Sequence, residues 1–114
     1  DRVDWNRKVY VVEGPIDSLF IHNCIAVAGS DFQHIPQDGV VVILDNEPRS
    51  KEIVKKMANL IDSDYELVIW PSDIQEKDVN DMILAGRQDI KTIIDNNTFS
   101  GLEARMKLAA WKRI

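Results

Sequence analysis

Four short apolar runs divide the chain, each stopped by glycine, proline or polar residues. Lys8-Val9-Tyr10-Val11-Val12 is β-branched and aromatic, the composition of a strand, and Gly14-Pro15 breaks it. Ile25-Ala26-Val27-Ala28 reads as a second strand, closed by Gly29-Ser30. Val40 to Leu44 is apolar at every position, as expected of a strand covered on both faces. Glu66-Leu67-Val68-Ile69-Trp70 is a fourth strand ended by Pro71.

Between these runs the apolar period changes to that of helices. Ile16 to His22 reads as a short helix with Ile16, Leu19 and Phe20 on one face, and Asp31 to Asp38 as a loop. After the third strand a helix is expected to start at Asn46 or Glu47, with Pro48 in its first turn, and to run to about Ile61. Its stripe of Ile53, Met57, Leu60 and Ile61 predicts a buried face, and Lys51, Glu52, Lys55 and Lys56 a wet one. Short helices follow from Val79 to Ala85, ended by Gly86, and from Ile90 to Ile94. Ser100-Gly101-Leu102-Glu103 has the pattern of a capping box. It opens a last helix with Leu102, Met106, Ala109 and Ala110 near one face. Strands alternating with helices predict an α/β domain with about four strands in a mainly parallel sheet.

Composition narrows the class without changing this picture. At 114 residues the chain suits one compact domain. No apolar run approaches the roughly 20 residues of a membrane span. Cys24 is the single cysteine, so neither an internal disulfide nor a zinc cluster is available. A reducing, cytoplasmic setting follows, with Cys24 as core. The chain begins at Asp1 rather than Met, and residues 1–7 read as a lead-in from a preceding region of a longer protein. The formal charge of −5 argues against nucleic-acid binding by charge alone. It fits either a solvated acidic surface or carboxylates gathered to hold cations.

Position separates these two readings. Ligands of open α/β sheets bind beyond the carboxyl ends of the strands. Glu13 follows the first strand, with Asp17 one turn on; Asp45 and Glu47 follow the third; Asp78 and Asp81 follow the fourth and its loop. Helix capping would explain one of Asp45 and Glu47. Acids at three of four strand ends instead predict a shared site, because crowded carboxylates need a cation or retained protons. Magnesium suits such a site, since it binds through a few carboxylates and keeps waters that phosphate oxygens replace.

These segments also resemble a known family. Val12-Glu13-Gly14-Pro15-Ile16-Asp17-Ser18-Leu19 looks like the first motif of Toprim domains, and Val41 to Glu47 like the second, an apolar strand followed by Asp-x-Asp. Lys77-Asp78-Val79-Asn80-Asp81 resembles the third acidic segment of the Toprim domains of phage-type DNA primases. Ala28-Gly29-Ser30 sits where those primases carry a small glycine-containing turn. Three motifs in order at strand ends make the resemblance specific over roughly residues 8–85.

The resemblance implies a Toprim fold over residues 8–97, with residues 98–114 either closing that domain or starting the next. It implies Glu13 as the proton-transferring or metal-shaping catalytic residue, with Asp17 as a second catalytic candidate. Asp45, Glu47 and Asp78 would hold Mg2+, or Mn2+ in its place, with Asp81 as a further ligand. Gly14, which lets the backbone turn sharply beside the site, joins Lys51 and Lys77 as candidates for nucleotide or nucleic-acid contact. Glu47 departs from the pattern, since Asp is commoner there; its extra methylene favours a water-bridged contact.

The implied activity is that of a DNA-directed RNA polymerase of the primase type. It would join ribonucleotides on single-stranded DNA during replication, in a bacterial cell or phage-infected host. The implied partners are template, nucleoside triphosphates, the remaining primase lobes of the parent chain and a replicative helicase, with no membrane. The fragment alone is expected to be inactive. Two alternatives stay open: a Toprim nuclease that hydrolyses phosphodiesters, and a non-catalytic α/β interaction module.

Several other residues have bland explanations that weigh more. His22 and His34 are isolated, which favours surface or capping roles. Trp70 could stack on a base, but core or rim packing is the stronger expectation. The cations Arg105, Lys107, Lys112 and Arg113 make the last helix either a solvated face or a phosphate contact.

Overall fold

The computed structural model describes residues 4–12, 23–26 and 35–113. Five strands form one sheet: β1 (Val9–Val12), β2 (Cys24–Ala26), β3 (Val40–Ile43), β4 (Glu66–Val68) and β5 (Thr98–Phe99). Their order is β2-β1-β3-β4-β5, parallel throughout except for β5, which pairs antiparallel with β4. The helices are α1 (Lys51–Asp62), α2 (Val79–Leu84), α3 (Ile90–Asn96) and α4 (Gly101–Trp111). The expected α/β class and mainly parallel sheet are therefore what the chain adopts.

The uniformly apolar strands are explained by two cores, one on each face of the sheet. Side chains of a strand alternate between faces. Val9 and Val11 of β1, Val40 and Val42 of β3, and Leu67 of β4 meet Ile53, Met57, Leu60 and Ile61 of α1, with Ala104 and Leu108 of α4. Tyr10, Val12, Val41, Ile43 and Val68 take the other face, against Val79 and Met82 of α2 and Ile90 and Ile94 of α3. Both faces of β3 are sealed, and its residues are at most 4% exposed.

Four local expectations are corrected. First, α1 begins at Lys51 rather than at Asn46 or Glu47, and Pro48 lies before it rather than in its first turn. Ser50 is the N-cap, and its Oγ accepts from the Ile53 N–H at 3.3 Å. The Asn46 side chain bonds to a neighbouring loop, which removes it as a cap. Second, β4 ends at Val68; Ile69 and Trp70 continue buried, outside the strand.

Third, Ser100 makes no side-chain cap bond. Gly101 has φ 58° at the entrance to α4, a left-handed conformation that suits glycine, and the chain does not form the capping box there. Fourth, α4 buries Ala104 and Leu108, while Leu102 and Met106 are 74% and 66% exposed. Position Cys24 is only half-buried, at the margin of the second core. The segments around Ile16 to His22, Ala28-Gly29-Ser30 and His34 lie outside the described residues. No helix among the described residues is long and apolar enough to cross a membrane.

Candidate metal centre

The parallel order sends the chain out of β3 and β4 at the same end of the sheet. Leu44 is the last buried residue after β3, and Asp45, Asn46, Glu47 and Pro48 emerge half-buried. Beside them runs the segment from Ile69 to Lys77 that follows β4. Trp70, 2% exposed, donates its indole N–H to the Leu44 carbonyl at 2.9 Å. Its ring is committed to the core and does not present a face for stacking.

The two loops are joined at their acidic ends. The Asn46 backbone N–H donates to the Lys77 carbonyl at 2.6 Å. Its side-chain Nδ2 donates to the carbonyls of Ile74 at 3.0 Å and Glu76 at 3.1 Å. Asp78 comes next, as N-cap of α2, with its Oδ1 accepting from the Asp81 N–H at 2.8 Å. The far side of the loop is fastened by the ion pair of Glu76 with Arg87, just beyond α2. The hydrogen bond that Arg87 donates to that carboxylate raises the Arg87 pKa, which keeps the guanidinium charged.

The fold thus brings Asp45, Glu47 and Asp78 onto adjoining loops. Asp81 lies in the first turn of α2 and is exposed. Glu13, Gly14 and Asp17 lie outside the described residues. Among the described residues, no three His, Cys, Asp or Glu side chains are grouped so as to hold a metal ion. The donor chemistry still suits magnesium, which binds proteins through one or two carboxylates while keeping several waters. Asp45 and Glu47 are two such carboxylates, half-buried on one braced loop.

A cleft of about 900 Å³ opens beside the carboxylate loop, between Asn46 to Ser50, the segment after β4, and α4. Among the described residues that line it, Glu47 is the single acid, with Arg49, Lys107 and Arg113 as cations. The excess of cations stands out in a chain of charge −5. Half-buried Phe99 and Trp111 add aromatic surface, with the Lys107 ammonium 5.1 Å from the Phe99 ring centre. Lys51 and Lys77 are exposed, and neither lines this cleft.

Two residues at this site carried no obvious sequence signal. Arg49 was visible only as a cation after Pro48, and Asn46 only as a candidate helix cap and the spacer between two acids. What marks Asn46 is its bonding across the fold. Its Oδ1 accepts from the Trp111 indole N–H at 3.2 Å, and the Arg113 backbone N–H donates to the Pro48 carbonyl at 2.7 Å. The end of α4 is thereby tied to the same loop.

No family model matches the chain. It is similar to a DNA primase of Enterobacteria phage T4, with 43% identity over 113 residues, covering 93% of this chain. The chain spans 33% of the length of that primase. Nearly the whole chain is therefore related to one part of a phage primase.

Proposed function

We propose that this chain is the metal-binding Toprim domain of a DNA primase. It would contribute Mg2+-dependent nucleotidyl transfer to RNA primer synthesis on single-stranded DNA. The observation that carries the reading is the junction of the Asp45–Glu47 loop with the Lys77–Asp78 segment, through the 2.6 Å bond of Asn46 to Lys77. The 43% identity to a phage DNA primase supports it.

In this reading Asp45 and Glu47 hold the cation, and Asp78 adds negative charge from the adjoining loop. The bound Mg2+ would supply charge neutralisation to the phosphates of a nucleoside triphosphate. Because the carboxylates are half-buried, their interaction with a cation is less screened than on an open surface. Arg49 and Lys107 then offer positive charge to phosphate oxygens in the cleft. The reaction joins a 3′ oxygen to the α-phosphorus of the next nucleotide and releases pyrophosphate. Stabilisation of charge on the reacting phosphate is the main demand on the protein. Glu13, with Asp17, is the candidate for proton transfer, on the strength of the motif resemblance. The other primase lobes of the parent chain and a replicative helicase are the proposed partners.

The test is a calorimetric titration with Mg2+ and Mn2+ of the chain and of its Asp45→Asn/Glu47→Gln double variant. Saturable binding by the first and none by the still-folded second is expected. Equal binding by both would remove these carboxylates from the metal site. Placed in the full-length primase, the same double variant is expected to lose primer synthesis on a single-stranded template. Undiminished synthesis would defeat the catalytic assignment.

A further inference from the structure

Asn46 stands between the two carboxylates of the proposed metal loop, and its own side chain is not a cation ligand of choice. Both of its polar atoms are hydrogen-bonded elsewhere. An amide side chain has two N–H donors and one carbonyl acceptor. Here the Nδ2 donates to Ile74 and Glu76, and the Oδ1 accepts from Trp111. With the backbone bond to Lys77, three hydrogen bonds run from this one residue into the four residues that precede Asp78. A side chain that lacks the donors, or is one methylene longer, does not reproduce that set. An aspartate in its place would turn an oxygen toward two carbonyl oxygens.

We infer that Asn46 is a positioning residue for the divalent cation, holding Asp45 and Glu47 at a fixed distance from the segment that carries Asp78. The inference rests on the magnesium reading of the carboxylate loop. A cation entering a braced pair of loops does not have to order them, whereas without Asn46 ordering the loops opposes binding. Partners that orient metal-binding groups matter for this reason, and their loss typically weakens affinity about 10–100-fold. Trp111 extends the brace to α4, so the last helix bears on metal affinity without contacting the metal.

Mn2+ titrations of the native chain, Asn46→Ala, Asn46→Asp and Asp45→Asn/Glu47→Gln would test this, with urea unfolding of each in the absence of metal. Asn46→Ala, while folded, is expected to bind Mn2+ at least about tenfold more weakly than the native chain. Asn46→Asp gives the sharper readout, because the two accounts differ in sign. An added negative charge beside a cation strengthens binding if the brace is immaterial. A positioning role requires weaker binding despite that charge. Native affinity in folded Asn46→Ala, or native or tighter affinity in Asn46→Asp, would overturn the inference.

If either Asn46 variant is unfolded without metal, Trp111→Phe decides, since it keeps an aromatic side chain in place while removing the indole N–H that Asn46 accepts. A reproducible loss of Mn2+ affinity is then expected, and unchanged affinity overturns the inference. A native chain that binds Mn2+ no better than the double variant defeats the magnesium reading itself, and this inference with it. That result is distinct from native binding that the Asn46 variants leave intact.

Discussion

Tyr10 lies in β1 and is 5% exposed, yet its hydroxyl donates to Asp95 of α3 at 2.9 Å. Lys91, one turn earlier in α3, pairs with the other oxygen of Asp95 at 2.8 Å and lies 5.7 Å from the Tyr10 ring centre. The hydrogen bond from Lys91 holds the Asp95 carboxyl below its ordinary pKa, against the opposing effect of burial. Burial and the adjacent carboxylate push the Tyr10 hydroxyl upward. A carboxyl with a lowered pKa contributes stability above its unfolded-state pKa. That stability is lost as pH falls through the folded value. Asp95→Asn is therefore expected to lower stability at pH 7 by at most about 1 kcal/mol, given the exposure of the ion pair to solvent. The difference should shrink as the pH falls below the ordinary aspartate value of about 3.9. Urea unfolding at pH 7 and in acid checks this, and a difference independent of pH would contradict it. The Tyr10 link in this network was not legible in the sequence, because 85 residues separate Tyr10 from Asp95.

At the scale of elements, the legible features were those that depend on local pattern. Runs of apolar, mostly β-branched residues gave β1, β3 and β4 to within two residues at each end, and the 3.6-residue period of α1 identified its buried stripe. The misreadings came from long-range bonds. Ile69 still donates its N–H to the Asn97 carbonyl opposite it, but the Asn97 N–H goes to the Ile94 carbonyl at the end of α3, so the pairing of β4 with the two-residue β5 stops there. A strand of two residues has no period to detect. In α4 the apolar residues do not mark the buried face: Leu102 and Met106 face solvent, while small Ala104 allows close approach to the core beside Leu108. Leu108→Ala is accordingly expected to cost about 2–5 kcal/mol. Leu102→Ala should stay within about 0.5 kcal/mol of the native chain. Urea midpoints of the two variants discriminate the faces, and equal losses would mean that α4 packs the other way round.

For the whole molecule, the placement of Asp45, Glu47 and Asp78 on adjoining loops was legible because β3 and β4 run parallel and end at one edge of the sheet. Their spacing was not, since it depends on Asn46 and on the carbonyls of another loop. The fold places Asp45, Glu47 and Asp78 on loops that hydrogen bonds hold together, in a chain already carrying −5. A cation that binds this native arrangement and not the unfolded chain must raise stability by mass action. At a free Mg2+ concentration of 100 times the dissociation constant, the gain is expected to be about 2.7 kcal/mol. General screening by salt would also relieve repulsion, so the comparison is with NaCl at matched ionic strength. Urea unfolding should show an extra gain in Mg2+ over NaCl for the native chain and none for Asp45→Asn/Glu47→Gln. The double variant should also be more stable than the native chain in metal-free buffer if carboxylate repulsion is the larger effect there. A native chain equally stabilised by both salts would reduce the acidic edge to a solvated surface, and would leave the relationship to the phage primase without a metal centre in this domain.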